Sequence, residues 1–155
     1  APEMASPRAK THNYLNFVMG DLEVQSQNPD ALSVLLDKNG NLAEGKGSNI
    51  FVIRNQKLIT PKEKYVLPGV SREVTMNLAT ELGYEIEEDD IDLFDAYNAD
   101  ELFITSTSFC ICPVQSINGR LPSADGVPGP ITRKLINAYV DLVGFDWYGQ
   151  YLSKI

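Results

Sequence analysis

The chain has 155 residues, enough for one domain that buries a core without help from metals or disulfides. Its 43% hydrophobic and 22% charged residues are those of an ordinary globular protein. Thirteen Lys and Arg against 21 Asp and Glu leave a net charge of −8, which argues against nucleic acid or an anionic membrane as partner.

Two prolines in the first seven residues predict an extended lead-in. Asn13 is placed to cap a helix from Tyr14 to Gln27, with Leu15, Val18, Met19 and Leu22 at helical spacing, and Asn28-Pro29-Asp30 stops it. Ala31 to Leu36 reads as a buried strand, followed by a tight turn at Asp37 to Asn41 and a short strand ending at Glu44. Gly45 to Ser48 reads as an irregular link into the strand Asn49 to Ile53, which turns at Arg54 to Lys57 onto Leu58-Ile59-Thr60. A helix is expected from Val70 to Leu82 with Gly83 just beyond it, then extended chain from Tyr84 to Glu87. A helical turn at Leu93 to Tyr97 precedes strands at Glu101 to Thr105 and Ile111 to Ile117, the latter turned by Asn118-Gly119. Gly129-Pro130 opens a final helix over Ile131 to Val143, and the aromatic tail Trp147, Tyr148 and Tyr151 is expected to pack on the domain or a partner. Helices and strands alternate irregularly, which predicts an α+β fold: a mixed sheet with surrounding helices in one domain over residues 1–155.

The cysteines, Cys110 and Cys112, stand two apart on an expected strand. They should share a face, poor geometry for a disulfide and too few ligands for zinc, and such thiols suit a reducing cytoplasm. No run reaches membrane-spanning length, no signal-peptide pattern is present, and the acidic stretch from Glu85 to Asp95 lacks the spacing of a calcium loop, so no metal site is expected.

The chemistry concentrates elsewhere. Leu67-Pro68-Gly69-Val70-Ser71-Arg72-Glu73 is a strand-end turn opening into a helix, whose first N–H groups and dipole make an anion site. Gly69 allows close approach, Val70 and Ser71 present their N–H groups, and the Ser71 hydroxyl adds a donor; Arg72 is expected to face outward or pair locally with Glu73. Ser106 and Thr107, in the cluster Thr105-Ser106-Thr107-Ser108, could close on the same phosphate from the far side. Lys10 is the candidate nucleophile, because a desolvated amine condenses with an aldehyde. Glu44 could hold a pyridine nitrogen protonated and so make the ring an electron sink. His12, the only histidine, has no triad-like spacing and reads as a turn residue. Each feature alone is common: a surface lysine, a turn glutamate, a helix start, a Thr/Ser-rich strand. Together they point to a phosphorylated cofactor with an electrophilic carbon.

The blocks Lys10 to Asn16, Ala43 to Phe51, Leu67 to Arg72, Ala99 to Thr107, Pro113-Val114 and Ile117 to Gly119 resemble, in order and spacing, the fold-type IV pyridoxal-phosphate enzymes. These are the class IV aminotransferases, including branched-chain and D-amino-acid aminotransferases, (R)-selective amine transaminases and aminodeoxychorismate lyase. The resemblance implies the large C-terminal domain of the D-amino-acid aminotransferase-like fold, with pyridoxal 5'-phosphate as cofactor. It implies that Lys10 binds the cofactor covalently as an imine and shuttles the substrate proton, that Glu44 partners the ring nitrogen, that Tyr14 reaches the phenolic oxygen, and that Leu67 packs on the ring. Val70, Ser71, Ser106 and Thr107 would hold the phosphate, and the Ser108 amide would meet a substrate carboxylate. The family's N-terminal small domain, with an arginine of the phosphate site and pocket-shaping loops, is expected to be absent, and Phe109 stands where relatives often carry a smaller residue, altering the pocket. The expected activity is transfer of an amino group between an amino acid or amine and a 2-oxo acid, by a homodimer with its active site near the dimer interface. The alternatives are an aminodeoxychorismate-type lyase and a truncated fragment that folds without turnover.

Overall fold

The computed structural model describes residues 6–153. Its centre is a six-stranded mixed sheet made of β1 (Glu44–Gly45), β2 (Ser48–Arg54), β3 (Lys57–Pro61), β4 (Ile86–Asp89), β5 (Glu101–Ser106) and β6 (Cys110–Pro113). The order is β4-β3-β2-β5-β6, with β1 also on β2, and every pairing is antiparallel except β3 with β4. The helices are α1 (Leu15–Gln25), α2 (Val70–Glu81), α3 (Leu93–Tyr97), α4 (Pro130–Val143) and α5 (Trp147–Leu152). Parallel strands need a crossover, and α2 is that crossover between β3 and β4.

The core lies on both faces of β2 and β5, which is why these strands read as nearly unbroken apolar runs. Phe51, Ile53 and Phe103 point to the face covered by Leu78 and Ala79 of α2, Leu135, Ile136 and Tyr139 of α4, and Trp147 of α5. Ile50, Val52, Leu102 and Ile104 point to the other, covered by Leu42, Ile91, Ala96 and Ala99. Phe51 and Phe103 stand opposite each other in register and stack at 4.8 Å. The aromatic tail packs on the domain through buried Trp147, edge-on to Tyr139 and Tyr148.

Several expectations change. The lead-in holds a 3-10 turn at Pro7–Ala9, its earlier residues lying outside those described. Asn13 does not cap α1; Tyr14 is the N-cap, its N–H given to the His12 carbonyl. Ala31 to Leu36 is not a strand but extended chain with one bridge, Leu36 to Leu42, because the neighbouring β1 offers an edge only two residues long. The link at Gly45 to Ser48 is a hairpin turned by Lys46-Gly47, β6 ends at Pro113, and the tail forms α5. Cys110 and Cys112 do not share a face: Cys110 has φ 54°, which turns it to the Phe103 side while Cys112 joins the Ile104 side, and both thiols are free. Gly83 ends α2 as expected at φ 82°, where the Tyr84 N–H reaches back to the Ala79 carbonyl.

Arg72 is a further correction. It is 4% exposed, and its Nη2 donates to the Pro61 carbonyl at 3.1 Å and pairs with Glu88 Oε2 at 2.9 Å. The parallel register brings the ends of β3 and β4 together beneath the first turn of α2, so the guanidinium is drawn inward to ligands that sequence neighbours do not reveal. Burial pushes the Glu88 carboxyl up, but the Glu63 N–H and Arg72 outweigh it and hold it below its ordinary value. We expect Arg72→Leu to destabilise the chain by about 2 kcal/mol, the partly hydrated Glu88 softening the loss of a buried pair. A calorimetric melting temperature unchanged by this substitution would show that the ion pair does not anchor α2.

Candidate active site

The first turn of α2 is presented by Leu67, whose backbone is gripped on both its N–H and its carbonyl. Its N–H donates to Glu44 Oε2 at 2.9 Å, and its carbonyl accepts from Asn49 Nδ2 at 2.9 Å. Glu44 of β1 and Asn49 of β2 are directly paired, and Asn49 is paired in turn with Thr105 of β5. Partners in adjacent strands share a face, so Glu44, Asn49 and Thr105 form a polar row across three strands. A Cβ at Gly69 would come within 2.2 Å of Asn49 Oδ1, so only glycine lets the turn seat on this row.

Beside the row opens a cleft of about 740 Å³. All the residues proposed for chemistry line it: Lys10 and Tyr14 from the chain before α1, Glu44, Leu67 with Val70 and Ser71, and Ser106, Thr107 and Ser108 beyond β5. Lys10 is exposed and has left-handed backbone, φ 45°. Tyr14 stacks on His12, 5.9 Å between rings. Ser71 is buried, Thr107 is exposed, and the Ser108 N–H donates to Ser106 Oγ at 3.3 Å. Phe109 packs against the Ile104 side of the sheet and does not line the cleft.

Two features suit an anion. The N-cap of α2 is Gly69 and no side chain caps the helix, so the orphan N–H groups of its first turn remain open. The hydroxyl of Thr105 is buried with no hydrogen-bond partner. By contrast, the Ile131 and Thr132 N–H groups at the start of α4 donate to Glu101 at 2.9 and 2.8 Å. One helix start is filled by the protein's own carboxylate; the other is left for a guest. Among the described residues no cluster of His, Cys, Asp and Glu could hold a metal ion, and no helix is long and apolar enough to cross a membrane.

The amino-transferase class IV family pattern matches residues 1–117. The chain belongs to the class IV aminotransferases. The branched-chain-amino-acid aminotransferase of Pseudomonas aeruginosa is 38% identical over 137 residues, which are 88% of this chain and 44% of that enzyme. Among solved structures, the branched-chain amino acid aminotransferase of Thermobaculum terrenum in its PLP-form is similar with a TM-score of 0.84 at 37% identity, covering 91% of this chain and 46% of that one. The branched-chain amino acid aminotransferase of Escherichia coli gives 0.85 at 33% identity over 92% and 48%. The chain thus spans just under half the length of these relatives, and its mixed sheet with helices is the fold of their C-terminal domain.

Pyridoxal phosphate is the cofactor of this family. The uncapped start of α2 over Gly69 and the unpartnered Thr105 hydroxyl fit its phosphate, and the cleft is lined by two amines, Lys10 and Lys46, and two half-buried carboxylates, Glu44 and Asp37. Sequence reasoning missed Asn49 and Thr105. The signal was there, a polar residue at each apolar strand's end, but only the pairing of β1, β2 and β5 aligns them with Glu44.

Burial pushes the Glu44 carboxyl up, the bond from the Leu67 N–H opposing it. A raised carboxyl favours the folded state in its neutral form, so at higher pH the ionised Glu44 costs stability, and that cost fades as pH falls through its folded pKa. Glu44→Gln keeps an acceptor for the Leu67 N–H without the charge. In the absence of cofactor its melting temperature should equal or exceed that of the wild type at pH 8, with the advantage shrinking toward pH 5. An advantage that grew on acidification would mean that the site stabilises the anion by itself.

Proposed function

We propose that residues 1–155 act as the cofactor-binding large domain of a branched-chain-type aminotransferase, which moves an amino group between an amino acid and a 2-oxo acid. The observation that carries the reading is the open anion cradle of α2 set on the Glu44-Asn49-Thr105 row, in one cleft with Lys10. Bound pyridoxal phosphate would supply an electron sink for the bonding electrons of the substrate's α-carbon. In this reading Val70, Ser71, Ser106 and Thr107 hold the phosphate through N–H and hydroxyl donors. The Glu44 carboxylate would partner the ring nitrogen, Tyr14 would donate to the phenolic oxygen, and Leu67 would pack on the ring. Lys10 Nζ would be both the covalent anchor and the base that carries the substrate proton, while the Ser108 amide would orient the substrate carboxylate.

A second reading, a domain that folds and binds cofactor without turnover of its own, draws support from the looseness of the lysine wall. Lys10 is exposed and α1 buries no residue. That wall is held through Asp21, which accepts from Ser33 Oγ at 2.7 Å, and through the Arg8–Glu63 pair at 3.3 Å.

Both readings predict covalent attachment at Lys10. After incubation with pyridoxal phosphate, borohydride reduction and peptide mapping, the label should sit on Lys10, and Lys10→Ala should lose the imine absorbance on gel filtration while keeping its melting temperature. An imine retained by Lys10→Ala would sink the assignment. Amino transfer to a 2-oxo acid then separates the two readings.

We also propose self-association. Leu15, Met19 and Leu22 of α1 are 67%, 59% and 61% exposed and share one helical face, an apolar surface that suits a homodimer, and two unpaired thiols suit a reducing cytoplasm. Light scattering at micromolar concentration should give the mass of a dimer or larger, and a monomer mass counts against it.

A further inference from the structure

Two tyrosines of the C-terminal helices touch the two anion-binding loops from outside the cleft. Tyr139 of α4, 6% exposed, donates its hydroxyl to Ser71 Oγ at 3.4 Å. Twelve residues on, Tyr151 of α5 donates to the Ser108 carbonyl at 2.7 Å. Neither tyrosine lines the cleft. The two are mechanically linked: Trp147, buried between the helices, meets the Tyr139 ring edge-on at 6.1 Å, and Asp146 caps the start of α5 through the Gly149 N–H at 2.8 Å.

We propose that α4 and α5 brace the anion cradle, with Tyr139 and Tyr151 as positioning residues that hold Ser71 and the β5–β6 turn in the geometry a phosphate requires. This rests on the cofactor reading above and extends it to residues that no cofactor atom touches.

At Ser71 the hydrogen bond acts on the side chain: the Tyr139 hydroxyl behind it holds Ser71 Oγ in place, with its remaining hydrogen-bonding capacity free for the cleft. Burial keeps the Tyr139 hydroxyl protonated, the Ser71 bond opposing that shift, and its other polar neighbour is the Cys110 thiol, itself kept protonated by burial.

At Ser108 the argument concerns a peptide plane. Residues 107 to 109 form a three-residue loop closed by the Ser106–Cys110 pair, with Cys110 at φ 54°. Thr107 and Ser108 are exposed and only Phe109 packs on the sheet, so packing by itself does not set the direction of the Ser108 carbonyl. A carbonyl rotated into the cleft would set its negative end against the phosphate. Tyr151 holds the Ser108 carbonyl on the α5 side, and because the peptide is planar and trans, the Phe109 N–H is turned the opposite way.

The test compares pyridoxal phosphate with pyridoxal, which shares the aldehyde and ring but lacks the phosphate. Equilibrium Kd values for both are read from the imine absorbance on the 155-residue chain, for the wild type, Tyr139→Phe and Tyr151→Phe. Each substitution removes one hydroxyl and keeps the ring; Tyr151, 46% exposed, changes no core contact. We expect each variant to bind pyridoxal phosphate roughly threefold to tenfold more weakly, as for loss of one hydrogen bond, with pyridoxal unchanged. Loss for both ligands alike would make the tyrosines merely structural and overturn the brace. So would variants that keep the full preference for the phosphorylated ligand. A wild type that binds the two equally overturns the cradle on which the brace depends, and one that binds neither overturns the cofactor reading itself.

Discussion

The site depends on one residue whose two flanking peptide groups are both held by side chains. With its N–H on Glu44 and its carbonyl on Asn49, Leu67 cannot rotate, and the chain leaving it must enter α2 over the Asn49 side chain. Glycine at 69 makes that approach possible. The grip spans more than twenty residues of sequence but only one cross-strand pair of the sheet, so the β1–β2 hairpin and the start of α2 behave as one unit.

This unit explains why one helix start is open and another is filled. α2 and α4 both cover the same face of the sheet and both begin after a glycine N-cap without a capping side chain of its own. Glu101 reaches from β5 into the start of α4 and satisfies two of its N–H groups, whereas no side chain caps α2. Arg72, one turn in, is committed to Pro61 and Glu88 on the far side and leaves the mouth of the helix open. The dipole of α2 is thereby left without a capping side chain, the arrangement that suits an anion.

The half of the cleft that carries Lys10 is built differently. Asn49 and Thr105 rise from strands with a core on both faces and Glu44 from β1 beside them, while Lys10 and Tyr14 sit on chain that buries little and is tied down by Asp21 and Arg8. The end of the cleft at Asn49 and Thr105 is therefore held by the packed sheet. The lysine end takes its order from whatever fills the cleft or covers α1, since buried apolar area, the main stabilising term, is nearly missing there.

Much of this was legible in the chain. Local signals act over a few residues, so the helix from Val70, its end at Gly83, the strands at Asn49 and Glu101 and the helix near Pro130 followed from periodicity, glycine and proline. So did the ordered blocks that carry Lys10, Glu44, Ser71 and Thr107 and with them the family, because those residues are contiguous with the turns that present them. Contacts between distant segments had no such signature. The inward turn of Arg72, the separation of Cys110 from Cys112 by one left-handed residue, the loss of a strand at Ala31 to Leu36, and the alignment of Asn49 and Thr105 with Glu44 were all decided by register between strands. The reach of Tyr139 and Tyr151 to the cradle was decided by the return of α5 across α4. Sequence by itself determined which residues could do the chemistry; the tertiary structure decided which of them meet, because a one-residue change in register moves a side chain to the opposite face.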